Sequence, residues 1–345
     1  MFAITNATRH AATAVILTDP DGRDVVLAVA KATYVLPERG RPELAAEPLP
    51  LVYADAYRDE AGESSLVAVS DFALRKPGAD VIVFGSATAP GGREVTSMTV
   101  SVRVGAVEAE LLVTGDRIWK KGLFGLSMSS PKPFREMPLL WERAFGGQSP
   151  PKDGDGVVRW APNPVGRGFW LTERSAVDMP LPNLEWPDDR VQKLTDRPVP
   201  AAFGYVSPDW ESRAALAGTY DAGWERGRMP LLPEDFDPHF FQCAPARLQS
   251  KRCFVGREPV RLLGLHEAGE RSFALPEDRI DIDLLTPGDV LETHSAQLDT
   301  IVIDTEQKLV QLVWRACVPA PAPLTRLQHV RIRSAHHPAP VASAE

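Results

Sequence analysis

The chain has 345 residues, 44% of them hydrophobic and 24% charged, which is the balance of a globular protein and not of a disordered chain or a coiled coil. Its net charge is −8, and no stretch gathers lysine and arginine into the basic surface that nucleic acid requires. The three cysteines have no C-x-x-C spacing, so neither a disulfide framework nor a zinc site is indicated.

We expect a cytoplasmic protein with no nucleic acid partner and no membrane insertion. No apolar run approaches the roughly 18 residues that a membrane-spanning helix needs. The apolar run at residues 11–17 is short and lacks a cleavage signal after it, so it is a poor secretory signal. An odd number of cysteines fits a reducing compartment.

Strand patterns dominate the first part of the chain, which we interpret as a β-rich N-terminal half at residues 1–126. In residues 98–104, apolar and polar side chains alternate as in a half-buried strand. Gly105 then leads into a second strand and predicts a hairpin. Residues 79–87 have the composition of a buried strand. Together these elements predict β-sandwich-like sheets.

The middle of the chain is rich in proline and aromatic residues. Residues 127–240 hold 16 of the 32 prolines, and proline interrupts both helices and central strands. We therefore predict that residues 127–253 form long ordered loops and short helices, anchored by aromatic rings and packed on the β-rich half. One helix is expected to start at a Ser207 cap and run towards Gly218, and another to start at an Asp221 cap.

Strand patterns return after residue 254, and we interpret residues 254–318 as the C-terminal β-rich part of the same body. Residues 319–345 read as a linker, then a possible short edge strand at 327–333, then a disordered tail. The predicted fold class is mainly β, with β-sandwich-like sheets, an irregular Pro/aromatic-rich middle segment and a few short helices.

One set of residues has the composition of a metal or acid-base site. Asp235, Asp237 and His239 are spaced two apart, which places them on one side of an extended segment. Pro233 and Pro238 interrupt that regularity, and the loop lacks the glycine and extra oxygen ligands of a hard-cation site. We favour local loop anchoring, predict no metal and no cofactor, and leave open whether this set binds an ion.

Catalytic motifs are missing from the sequence. It contains no G-x-S-x-G, no H-E-x-x-H and no Gly-Lys-Ser/Thr phosphate loop. Cys243 has no obvious basic partner and is expected to be a small buried hydrophobe, and His10 is isolated. We predict no catalytic residues and hence a protein that is not an enzyme.

Charged residues beside tryptophans leave two readings open. Glu142 and Arg143 occur in "WERAFGG", and Arg213 lies in a short predicted helix. Arginine forks onto carboxylates and stacks on rings, both inside folds and at interfaces. These residues are therefore interpreted mainly as braces of the irregular middle, with recognition of a partner as the second possibility.

Five blocks of sequence resemble a known bacterial family. They are "LWERAFGG" (140–147), "NPVGRGF" (163–169), "LPNLEWP" (181–187), the long run 200–249, and "LDTIVID…LVWR" (298–315). In this order and spacing they resemble an accessory family of the type VI secretion system, whose members were first described only as a domain of unknown function.

The resemblance implies a cytoplasmic chaperone or adaptor that binds a toxic effector and helps to load it onto the spike protein. Effector and spike are then the expected partners, and the oligomeric state stays open. The motif positions are taken as the candidate protein-binding or scaffold residues: Trp141, Glu142, Arg143, Arg167, Trp210, Arg213, Tyr220, Asp221, Trp224, Asp235, Phe236, Asp237 and His239.

Two alternatives to the adaptor remain open at this point. A carbohydrate hydrolase would need a pair of carboxyl groups facing each other across a cleft, and Asp235 with Asp237 is the available pair. A structural component of the secretion spike would instead stay associated with the secreted apparatus.

Overall fold

A computed structural model describes residues 2–38, 40–123, 125–286 and 291–335 of the chain. The first twelve strands are β1 Ala3–Ala7, β2 Ala11–Thr18, β3 Asp24–Val35, β4 Glu43–Leu44, β5 Ala56–Tyr57, β6 Leu66–Ala68, β7 Ala79–Phe84, β8 Ser86–Thr88, β9 Ser97–Val104, β10 Val107–Thr114, β11 Trp119–Gly122 and β12 Gly125–Met128.

Short strands and helices follow in the middle of the chain. The strands are β13 Glu136–Pro138, β14 Phe145–Gly146, β15 Gln148–Ser149, β16 Val158–Arg159, β17 Arg167–Gly168, β18 Leu184–Glu185 and β19 Gln249–Ser250. The α-helices are α1 Glu173–Ala176, α2 Glu211–Ala214 and α3 Ala222–Gly227. The last strands are β20 Pro259–Leu263, β21 Glu270–Ala274, β22 Ile280–Leu285, β23 Leu291–Ser295, β24 Gln297–Asp304, β25 Leu309–Pro319 and β26 His329–Ser334.

The central sheet combines strands from both ends of the chain in the order β19-β7-β24-β25-β3-β2, with β4 paired to β3. The antiparallel hairpin β24–β25 lies between β7 and β3, and β24 runs parallel to β7. In β3, every residue from Val25 to Tyr34 is buried. A strand buried on both faces reads as a continuous apolar run, which explains the unbroken pattern of this segment.

Two further sheets flank the central one. Strands β18-β10-β9-β20-β21 form a five-stranded sheet, and β1-β26-β22-β23 form a four-stranded sheet. The predicted hairpin is present as β9 and β10, joined at Gly105 with a φ of 57°. One hydrophobic core contains side chains from all three sheets, for example Val102 of β9, Val302 of β24 and Ile332 of β26. The mainly β fold class is confirmed.

The C-terminal strand differs from its prediction. Strand β26 pairs in parallel with β1 on one side and antiparallel with β22 on the other, so it is an interior strand and not an edge strand. Val330 and Ile332 are fully buried, so one face of this strand packs into the hydrophobic core. The predicted tail, with its His336-His337 pair, lies outside the described residues except for Ala335.

The proline-rich middle contains only short regular elements. Between Ser129 and Ser250, no strand is longer than three residues and the α-helices have four to six. A separate small core holds this segment together through Trp119, Phe145, Phe169 and Leu181.

Helix ends in the middle segment test the capping predictions directly. Asp221 caps α3 as predicted, with its carboxylate accepting from Gly223 and Trp224. The predicted start of the preceding helix at Ser207 is wrong, because α2 begins at Glu211 after Trp210. The Ser207 hydroxyl donates to the Asp209 carboxylate, and α2 has no side-chain cap at its N-terminus.

Candidate functional site

The first motif block forms a short 3-10 helix, Trp141–Arg143, that joins distant parts of the chain. The buried ring of Trp141 meets that of Trp210 edge to face, with 5.1 Å between centroids. The Glu142 carboxylate accepts hydrogen bonds from the backbone N–H and the hydroxyl of Ser65, at 2.8 and 3.1 Å. These side chains hold loops to one another.

Two arginines from different motif blocks converge on one amide. Arg143 and Arg167 each donate from Nη1 to the side-chain oxygen of Asn183, at 3.1 and 3.2 Å. Arg167 also donates from Nε to the carbonyl of Glu142 at 2.8 Å. Burial, and then the nearby charge of Arg143, lower the pKa of Arg167. Both guanidinium groups therefore use their donors for hydrogen bonds within the fold.

The glycines of these blocks allow close backbone packing. A Cβ on Gly146 would lie 2.1 Å from the carbonyl oxygen of Asn163, and a Cβ on Gly166 would lie 2.5 Å from the Asn163 amide nitrogen. Gly168 has a φ of 97°, which favours glycine. Strands β14 and β17 pair in parallel at these residues. The space that the missing side chains leave is filled by protein, so these glycines do not form a phosphate cradle.

Arg213 of α2 is a buried brace. Its Nη1 donates to the carbonyl of Val206 at 2.7 Å, and its Nε donates to the carbonyl of Phe240 at 3.0 Å. The guanidinium carbon also lies 4.9 Å from the centre of the Phe240 ring. Arg213 thus links α2 to the 3-10 helix Pro238–Phe241.

The α3 region carries the most exposed motif residues. Trp224 is only partly buried; its indole N–H donates to the carbonyl of Leu231 at 2.8 Å, and its ring meets Tyr220 at 4.8 Å. Tyr220 itself is 52% exposed. No residue of α3 is buried. Trp224 is therefore not a core residue.

The two carboxylates of the candidate acid-base set accept hydrogen bonds from groups within the chain. Asp235 accepts from the N–H and the hydroxyl of Thr219 at 2.9 and 2.7 Å, and these bonds lower its pKa. Asp237 caps the 3-10 helix, accepting from the His239 N–H at 2.9 Å, and its pKa is also lowered. A glycosidase acid needs a raised pKa. Phe236 packs against the neighbouring phenylalanine rings.

Across the described ranges, no three His, Cys, Asp or Glu side chains are grouped so that they could hold a metal ion. His239 Nδ1 lies 2.7 Å from Asp237 Oδ1, while Asp235 bonds a different loop. The structure therefore does not bring the Asp235, Asp237 and His239 side chains to one point. The absence of a bound metal at this set stays a prediction.

An apolar groove of about 370 Å³ opens beside the braced motif residues. Trp141, Arg213 and His239 line it. The remaining lining residues are mostly apolar and come from five separate segments, including Pro162, Trp186, Val199, Pro200, Leu216 and Pro245. Val199 is 64% exposed, so part of this apolar lining faces solvent. A groove of this size and composition can accept apolar side chains of another polypeptide.

A polar wall borders the groove. The Arg247 guanidinium lies 4.6 Å from the centre of the Trp186 ring and donates from Nη2 to both carboxylate oxygens of Asp188, at 2.8 and 2.9 Å. The Trp186 indole N–H donates to the carbonyl of Pro200 at 3.2 Å. These contacts fix the tryptophan ring, so the groove is largely preformed.

The structure also contains a buried ionic network that the sequence reasoning missed. Lys31 Nζ lies 2.6 Å from Asp71 Oδ2, and both side chains are buried. Arg315 pairs with Asp299 and donates from Nε to the backbone carbonyl of Asp71 at 2.7 Å. Burying charges is costly unless they are paired, and here each has a partner.

The network continues around Cys243. Lys76 Nζ lies 2.6 Å from Asp80 Oδ2, donates to the Thr300 hydroxyl at 2.8 Å, and is 4.0 Å from the Cys243 sulfur. The expectation that Cys243 has no basic partner was therefore wrong. Burial nevertheless raises the pKa of the thiol to about 12, so it stays protonated. Burial is the largest single influence on the pKa of Lys76 and lowers it, but the charge of Asp80 together with smaller contributions from neighbouring groups gives a net rise, so the amine stays charged.

A signal for this network was present in the sequence. Lys31 interrupts the apolar run of β3, and Arg315 interrupts the apolar run of β25. A lone charge inside a strand buried on both faces predicts an opposite charge beside it. The partners Asp71 and Asp299 could not be assigned, because they come from other segments.

The described parts of the chain contain no helix long and apolar enough to cross a membrane. Fold and site together define a mainly β protein with a rigid arginine and tryptophan scaffold beside an apolar groove. The chain belongs to the DUF2169 family, described as an uncharacterized protein conserved in bacteria, whose model matches residues 21–315. The match includes every motif position discussed above. No curated protein and no solved structure matches the chain.

Proposed function

We propose that this protein is a non-catalytic adaptor of the type VI secretion system that binds a toxic effector in the cytoplasm and helps to load it onto the spike protein. The five sequence blocks that resemble the accessory family support this proposal. Four of them lie within the proline-rich middle segment, residues 127–253. The bacterial family of the chain is compatible with it.

The apolar groove is the observation that carries the proposal. It is lined mostly by fixed apolar side chains, with Val199 exposed among them. Inserting two or three apolar side chains of an effector segment would contribute about 1.5–3 kcal/mol each before the costs of association. Arg247 stands beside the groove and can bond backbone carbonyls or acidic groups of that segment.

The use of the charged motif residues supports a binding function over a catalytic one. Glu142, Arg167 and Arg213 bond backbone or neighbouring side chains within the chain. Asp235 and Asp237 have lowered pKa values, which disfavours the role of general acid that a carbohydrate hydrolase would need. The net charge of −8 would additionally attract a basic region of effector or spike, an effect that salt should weaken.

The test is co-expression with the effector and spike genes encoded beside this one, followed by pull-down on a tag carried by this protein. We expect the effector to be retained, and we expect Val199→Asp to reduce retention at least tenfold, because it places a charge in the groove. The matched control is Val157→Asp, since Val157 is 61% exposed and does not line the groove.

Two results would contradict the proposal. The adaptor function is contradicted if the pull-down retains neither effector nor spike and if effector secretion is unchanged after deletion of this gene. Equal retention by the Val199 and Val157 variants would leave an adaptor whose binding surface is not this groove.

A further inference from the structure

A second cavity lies apart from the groove and shares no lining residue with it. Its volume is about 620 Å³, within the range of small-molecule sites. Its walls come from the residues before β2, the end of β3 with the segment that leads into β4, the residue Arg257 before β20, the segment between β21 and β22, and the end of β26. The cavity therefore lies where the central and four-stranded sheets meet a connection from the five-stranded sheet.

One wall of the cavity contains a buried histidine, although the sequence suggested that His10 was isolated. His10 is 6% exposed, and its Nε2 lies 3.5 Å from Asp278 Oδ2. The Tyr34 hydroxyl donates to the same carboxylate oxygen. The hydrogen bond from His10 outweighs burial in lowering the pKa of Asp278, which stays ionised.

The other ring nitrogen of His10 is unused. Nδ1 is buried and has no hydrogen-bond partner in the structure. A buried polar atom without a partner carries an energetic cost, so a group that reaches Nδ1 after a small shift of the cavity wall gains a hydrogen bond that the free protein lacks. The ring itself is fixed by Asp278 and by stacking on Trp314 at 6.0 Å.

Three arginines line the cavity together with His10. Arg257 is paired with Glu277. Arg9 and Arg41 line the cavity, are exposed, and have no carboxylate partner among the described residues. With two acidic residues among the lining, the cavity has an excess of positive charge in a chain whose net charge is −8. Arginine is the side chain best suited to bind phosphate or carboxylate groups through paired N–H donors.

We propose that this cavity binds a small molecule carrying a phosphate or carboxylate group. Arg9 and Arg41 hold the anionic group, and a small shift of the cavity wall on binding lets His10 Nδ1 make a hydrogen bond to the bound molecule. The contact of Nε2 with Asp278, which Tyr34 also bonds, leaves Nδ1 as the ring nitrogen for that bond. This site does not depend on the adaptor proposal, because it uses different residues and a different class of ligand.

The test uses the full-length protein titrated calorimetrically with two probes, inorganic phosphate and citrate, at constant ionic strength set with sodium chloride. We expect at least one probe to bind with a millimolar or lower Kd. The double variant Arg9→Gln/Arg41→Gln should weaken that binding at least tenfold. The control is Arg93→Gln/Arg226→Gln, which removes the same charge from two exposed arginines outside the cavity and should change Kd less than twofold.

A second variant tests the histidine. His10→Gln keeps an N–H near the position of Nε2 and removes Nδ1, so it should weaken binding about threefold to tenfold while circular dichroism confirms the fold. Preference for phosphate over citrate, or the reverse, identifies the anionic group. If neither probe binds, or if both arginine pairs weaken binding equally, the proposal is wrong. If the His10 variant does not fold, the arginine pairs still decide the outcome.

Discussion

Lys76 Nζ lies 2.6 Å from Asp80 Oδ2 in the interior of the protein, where both side chains are more than nine-tenths buried. Asp80 also accepts hydrogen bonds from the backbone N–H groups of Cys243 and Ala244, at 3.0 and 3.3 Å. One carboxylate thus joins β7 of the central sheet to the end of the irregular middle segment.

Asp80→Asn should destabilise the protein strongly. The substitution leaves the Lys76 ammonium buried without its counter-charge, which typically costs about 3–5 kcal/mol of unfolding free energy. Urea denaturation followed by tryptophan fluorescence measures this loss. The control is Arg103→Gln, which breaks the exposed pair with Glu108 and should cost under about 1 kcal/mol. Similar losses for both variants would show that the buried pair does not have this role.

Trp210→Ala should cost far more stability than Trp224→Ala. The Trp210 ring is 1% exposed and packs edge to face on Trp141, so its removal leaves a cavity worth about 3–5 kcal/mol. Trp224 is partly buried and makes one indole hydrogen bond. Its replacement by alanine should therefore lower the free energy of unfolding by only about 1–2 kcal/mol. Thermal and chemical denaturation compare the two. A greater loss from Trp224→Ala would contradict the assignment of Trp210 to the core.

Asp283 makes stability depend on acid pH. Its buried carboxylate accepts from Arg331, Arg333 and Thr293 at 2.7 to 3.3 Å. Burial raises the pKa of Asp283, but the hydrogen bonds from the two arginines and the threonine together lower it by a larger amount. The net shift of the pKa is therefore downward. A carboxyl group with a lowered folded-state pKa stabilises the fold above its unfolded-state pKa of about 3.9.

Asp283→Asn should therefore lower stability by about 1–3 kcal/mol near neutral pH, because it removes charged hydrogen bonds. The difference from the wild type should be constant down to about pH 5 and should shrink as pH falls through the folded-state pKa, below about 4. Melting temperatures across this range test the sign. A difference that grows with acidification would be incompatible with a lowered pKa.

Cys243 should react with thiol reagents far more slowly than Cys253 and Cys317. Cys243 is 2% exposed and its thiol has a pKa of about 12, whereas the other two cysteines are partly exposed. Thiolate is the reactive form, so both burial and the raised pKa protect Cys243. Iodoacetamide labelling of the native protein, followed by peptide mass spectrometry, ranks the three sites. Rapid labelling of Cys243 would place it outside the buried network.

Local features of the fold were readable from the sequence. The alternation in β9 and the turn at Gly105 depend on neighbouring residues, and the hairpin forms where they indicate it. The Asp221 cap is equally local, because its carboxylate bonds N–H groups two and three residues away. The Ser207 cap prediction failed because α2 starts four residues later, at Glu211.

The sequence by itself determined the mainly β class, the irregular middle and the local anchoring of Asp237, since each follows from residue type and short-range spacing. Only the tertiary structure decided that Lys31 meets Asp71, that β24 lies beside β7, and that His10 and Asp278 share a cavity. The physical reason is that contacts between distant segments depend on which strands pair. Pairing is fixed by the burial of all sheets together, which no local pattern encodes.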